Sequence, residues 1–188
     1  PQTVSSHDLD QRPRTSQLVR PRFGRTRRRS GVRGGQQTGV MHDPWHEFGS
    51  LSDWALRWAS LPKGLLGFTD FSLRTVTLDD RLLQAERRCT VAHEVEHIRL
   101  GPLPSDPVLA AREEAAIDRA VARKLIGIGE LGDALAWASS LAEAAQELWV
   151  DEDTLSVRLR HLHPAEVHYL RRRLQQEPPP CGPPARGD

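Results

Sequence analysis

Residues 90–101 read TVAHEVEHIRLG, two histidines four positions apart with a glutamate directly after the first. On an α-helix, positions four apart lie on one face about a turn from each other, so His93 and His97 can aim their imidazoles at one metal ion. Glu94 can then reach a water bound at that ion. Zinc suits the arrangement: two neutral imidazoles and a third protein ligand leave one coordination position open for water, whose pKa falls towards about 7. The neighbouring carboxylate takes that water's proton and later hands it to a leaving amine. Coincidence explains the pattern poorly. A chain of 188 residues with eight His and twelve Glu should contain H-E-x-x-H by chance about 0.02 times.

A third ligand has to come from elsewhere. Residues 111–126 read AREEAAIDRAVARKLI, and on a helix Glu114, Asp118, Val121 and Leu125 share one face, the buried one. A carboxylate in line with a core stripe is costly unless something cationic compensates it. Glu114 as third zinc ligand answers that cost. Asp118, one turn on, can hold the free N–H of a ligating histidine. Glu113 lies about 100° further round the helix and is the alternative third ligand, since a small error of phase exchanges the two. Cys89 precedes His93 by one turn and is expected to be a buried structural cysteine, because a fourth protein ligand would close the open position.

The elements that must position these residues follow from periodicity and punctuation. WALRWASL (54–61) fits an alternating as well as a helical period, and LRTVTL (73–78) is rich in β-branched residues. They predict a small β-sheet, with PKGLLGFTD between them as a turn. Asp79 or Asp80 is the expected cap of a helix over 81–100 that Gly101 and Pro102 stop. A second long helix is expected over 108–126, then shorter ones near 130–138, 141–149 and 152–162. A last helix runs over 164–175, with His163 as N-cap and Glu166 completing a capping box. The fold class is therefore α+β: a small β-sheet packed on the H-E-x-x-H helix, followed by a helical C-terminal half.

The net charge of +1 hides an asymmetry. Residues 1–40 carry nine Arg against Asp8 and Asp10, a balance of +7, whereas the rest holds 17 basic and 23 acidic side chains, a balance of −6. Residues 1–40 have few apolar residues and no sustained period, so they are expected to be disordered. Two readings of this segment stand open. Met41, the only methionine, is the true start, or the Arg-rich residues 12–33 engage the phosphates of a nucleic acid. The domain is expected over 41–176, followed by a disordered Pro-rich tail, 177–188. There is no apolar run near the ~18–20 residues that span a bilayer and no secretory pattern. Cys89 and Cys181 sit in unlike settings, so no disulfide is expected. Together these predict a cytoplasmic protein with no membrane partner.

TVTLDDRLLQAERRCTVAHEVEHIRLG followed by REEAAIDRAVARKLI, with MHDPWHEFGSL and GLLGFTD upstream, resembles the ImmA/IrrE family of zinc metallopeptidases in the short form of actinobacteria and their phages. The likeness spans about residues 41–175. It implies a gluzincin-like site with Zn2+ on His93, His97 and Glu114 and with Glu94 as general acid/base. It also implies a protein substrate, a DNA-binding repressor in the gene control of a phage or mobile element. The chain departs from the family where Asp118 precedes RAVA; there the family often has A-N/D-x-F-A. Residues 141–162 look like the helix-turn-helix-like unit of such proteins, presenting Arg158 and Arg160 with Arg171, Arg172 and Arg173 nearby. Read from the residues alone, the same two helices pack a core through Leu148, Leu155, Leu159 and Leu162. The alternative function is a non-enzymatic regulator that uses the metallopeptidase scaffold to bind DNA or a partner protein.

Overall fold

The computed structural model describes residues 15–19 and 42–175. β1 (Thr15–Val19) is followed by α1 (Pro44–Gly49), then by β2 (Ala55–Ala59), β3 (Leu65–Asp70) and β4 (Thr75–Asp79). The strands form one mixed sheet in the order β1-β3-β4-β2, with β4 parallel to β2 and antiparallel to β3. β2 and β4 lie where the β-branched and alternating runs predicted them.

Two expectations fail here, for physical reasons. The run read as a turn contains β3. Its Gly67 suggested a loop, but a Cβ there would stand 2.7 Å from Thr90 Cγ2 and 2.8 Å from Leu78 Cδ2. The glycine marks a close approach of strand and helix. Within the segment expected to lack structure, Thr15–Val19 forms β1, antiparallel to β3. The outer edge of β3 offers unpaired backbone groups, and a strand pairs with those whatever its apolar content. The remainder of residues 1–40, and the tail from 176 on, lie outside the described residues.

α2 (Gln84–Leu100) carries the H-E-x-x-H sequence and begins three residues later than expected. Asp79 does not cap it: the carboxylate is buried in β4 and accepts from the Arg81 N–H and Nε, each at 2.9 Å. Glu86 instead reaches back to accept the Leu83 N–H at 2.7 Å. The helix ends at Gly101, whose φ of +90° suits only glycine and whose N–H donates to the His97 carbonyl at 2.8 Å. The chain then turns into α3 (Pro107–Leu125), capped by Asp106, which accepts from Val108 and Leu109 at 2.8 and 2.9 Å. α4 (Ile128–Trp137), α5 (Leu141–Glu147), α6 (Glu152–Arg160) and α7 (Pro164–Gln175) complete the helical half. Half of the capping box expected at α7 forms, His163 N–H donating to Glu166 at 2.9 Å; the His163 side chain caps one position earlier, its Nδ1 accepting from Ala165 N–H at 3.2 Å.

α2 is the wall between two cores. On one side Val91 and Val95 join Leu66, Val76, Leu78 and Phe48; on the other Cys89 and Ala92 join Ile117, Val121 and Leu125 of α3 and residues of the later helices. Cys89 is buried and unbridged, as expected of a structural cysteine, and its Sγ accepts from Asp151 N at 3.4 Å. Arg88 ties the wall to its surroundings, its buried guanidinium donating to the carbonyls of Leu148, Trp149 and His42 at 3.3, 3.0 and 3.0 Å. Among the described residues no helix is long and apolar enough to cross a membrane.

Candidate metal centre

One face of α2 lies on the sheet and another on α3, so the histidine side of the helix is enclosed between them. His93, Glu94 and His97 are each 0 % exposed. Polar groups this deep need partners, because burying them alone costs several kcal/mol, roughly 2–7 for a neutral group. The partners are few. His93 Nε2 lies 3.0 Å from His97 Nε2, and Glu114 Oε2 stands 3.1 Å from the first and 3.4 Å from the second. These three atoms all carry lone pairs that can ligate. A tetrahedral zinc with bonds of about 2.0–2.1 Å sets its ligand atoms about 3.3 Å apart, a spacing the three observed separations bracket. The donor set of two imidazoles and a carboxylate is also one that zinc favours. His93, His97 and Glu114 thus form a cluster able to hold a metal ion. Glu114, the in-phase carboxylate, is the one brought in; Glu113 is exposed and outside the cluster.

Asp118 Oδ1 lies 3.2 Å from His93 Nδ1, where it orients the ring so that Nε2 faces the cluster, the place expected for it. The charges agree with a site that seeks a cation. Burial favours neutral His93, yet Asp118 and Glu114 outweigh it and raise the pKa to about 9. Burial likewise favours neutral Glu114, but hydrogen bonds and charge from the two histidines pull its pKa down to about 2. Glu94 goes the other way: burial raises its pKa against the histidines and Thr69.

Thr69 is the contact that sequence reasoning missed. Its hydroxyl, on β3 and 0 % exposed, donates to Glu94 Oε2 at 2.7 Å, while Glu94 Oε1 has no hydrogen-bond partner among the described residues. The signal was the strand itself: Gly67 and Thr69 lie two apart, on the face that meets α2. The structure withdraws Arg158 from the expected phosphate-binding set. It is 3 % exposed, donates through Nε to the Ile126 carbonyl at 3.0 Å, and pairs with both oxygens of Glu166 at 2.5 and 3.0 Å. Arg160 and Arg171–173 are exposed or partly so, with Arg173 paired to Asp133 at 2.8 Å. The Arg-rich residues 12–33 lie outside the described residues, apart from the backbone of β1.

Fold and site define an α+β chain with a candidate metal centre of two histidines and a glutamate between α2 and α3. Comparison with family models, with curated proteins and with solved structures found no match for the chain.

Proposed function

We propose that the chain is a zinc-dependent endopeptidase that cuts a regulatory, repressor-type protein in the cytoplasm, in the gene control of a phage or mobile element. One observation carries the chemistry: beside a cluster of three potential ligands stands a buried carboxylate, Glu94, with one oxygen held by Thr69 and the other without a partner among the described residues. A purely structural site has no use for such a group. Zinc, when bound, supplies Lewis acidity that acidifies water and polarises a carbonyl. Glu94 Oε1 then takes a proton from the attacking water as its oxygen bonds to the scissile carbonyl carbon. The C–N bond breaks as Glu94 returns that proton to the departing amine nitrogen. Thr69 holds the carboxylate's other oxygen still through both transfers. The repressor as substrate rests on the family resemblance.

The α5–α6 pair is proposed to serve packing: with Arg158 turned inward, a DNA-binding role for this helix-turn-helix-like unit loses its central cation. The test pairs a zinc assay with co-expression of the neighbouring repressor gene product. Glu94→Gln is expected to keep about one zinc per chain and to abolish cleavage, a loss of roughly 10²–10⁴-fold or more. Equal cleavage by the variant and the wild type overturns the reading.

A further inference from the structure

The chain covers one edge of its own sheet, and that edge belongs to the strand serving Glu94. Around α2, at about 100° per residue, Val91 and Val95 face the core they share with Val76 and Leu78 of β4. Next come Glu94 and Thr90, over Thr69 and Gly67 of β3. His97 and His93 follow. Passing from β4 to β3 thus moves towards the metal ligands, and the next strand position in that direction is held by β1. There Ser16 stands opposite Thr69, Gln17 opposite Phe68, and Leu18 opposite Gly67.

A protein substrate has to lay an extended segment beside Glu94, and a strand edge with free N–H and C=O groups is how extended peptides are held. We propose that β1 is a built-in competitor for such a segment: it occupies the docking edge of β3 and must leave before a substrate strand can pair there. The proposal rests on the peptidase reading. β1 is suited to leaving. It has five residues, pairs on one side only, and its register with β3 shifts between Leu18 and Val19. The +7 balance of residues 1–40 against the −6 of the rest favours its staying, an attraction that salt screens.

The test uses the full-length chain without metal, so it reads strand displacement and not cleavage. Gln17→Pro with Leu18→Pro removes two adjacent N–H donors, one of which faces β3 whichever way the pairing alternates. Those backbone amides of residues 67–70 that face β1, not β4, are expected to exchange at least tenfold faster in this variant than in the wild type. A labelled peptide of residues 14–20 is expected to bind the variant at least tenfold more tightly, by fluorescence anisotropy. Equal exchange and equal peptide binding overturn the proposal. So does protection of residues 67–70 that grows with protein concentration, because the covering strand then comes from a second copy. Failure of the peptidase reading shows separately, as cleavage that survives Glu94→Gln.

Discussion

Glu94, buried in the fold, holds one oxygen in a hydrogen bond from Thr69, and its other oxygen has no hydrogen-bond partner among the described residues. Thr69→Val keeps the shape of the threonine and deletes its donor. It is expected to destabilise the metal-free chain by about 1–3 kcal/mol in urea unfolding. The lost hydrogen bond had been lowering the Glu94 pKa, so the acid limb of the pH–kcat/KM profile should move to higher pH with zinc content unchanged. An unmoved limb means that Thr69 does not tune the base. His93 gives a second pH test. Its folded pKa of about 9 stands above the ordinary 6.5, so the proton it holds stabilises the metal-free fold fully below about pH 6.5. That contribution is lost as pH rises through about 9. Zinc must displace the same proton, so its apparent affinity should climb across this window, by up to about tenfold per pH unit. Titration against a chromophoric chelator checks this, and a flat profile refutes it. The two histidines of the candidate cluster were legible in the sequence because i, i+4 spacing on one helix is local geometry. Thr69 was not, since its contact with Glu94 spans 25 residues and exists only once the strand is docked.

At the scale of elements, β3 and α2 are set against each other by a glycine, and that setting brings Thr69 under Glu94. Gly67→Ala puts a methyl 2.7 Å from Thr90 Cγ2 and 2.8 Å from Leu78 Cδ2, and is expected to cost about 1–3 kcal/mol by overpacking. Adding Thr90→Ser removes the nearer methyl and keeps the hydroxyl that donates to the Glu86 carbonyl at 2.7 Å. Denaturant midpoints should recover part of the loss. No recovery would place the strain at Leu78 alone. The run around this glycine explains why β3 was hidden in the sequence: it opens on Pro62, Lys63 and Gly64, the punctuation of a turn, whereas the reason for Gly67 is a helix that sequence distance conceals. The helices were legible because caps and stops are short-range, as at Gly101, Asp106 and His163. Where a cap failed, at Asp79, the buried carboxylate pairs instead with the exposed Arg81.

Over the whole molecule, α2 is common to both cores, and the metal cluster joins it to α3 through Glu114. A metal bound there stabilises the sheet side and the helical side together, because neither core can loosen without moving the shared wall. Arg88 reinforces the linkage by bonding α2 to the chain before α1 and after α5. Thermal unfolding is therefore expected to be one cooperative transition with or without zinc. Free zinc at 100 times its Kd should add about 2.7 kcal/mol, a rise in Tm of about 10 °C for a domain of this size. Chelator should reverse the rise. Glu114→Gln removes the α3 end of the link and should cut it to a small fraction, while Glu113→Gln, on an exposed side chain, should leave it whole. Equal loss from both substitutions would move the third ligand off Glu114; two separated transitions would show that the wall does not bind the halves into one unit.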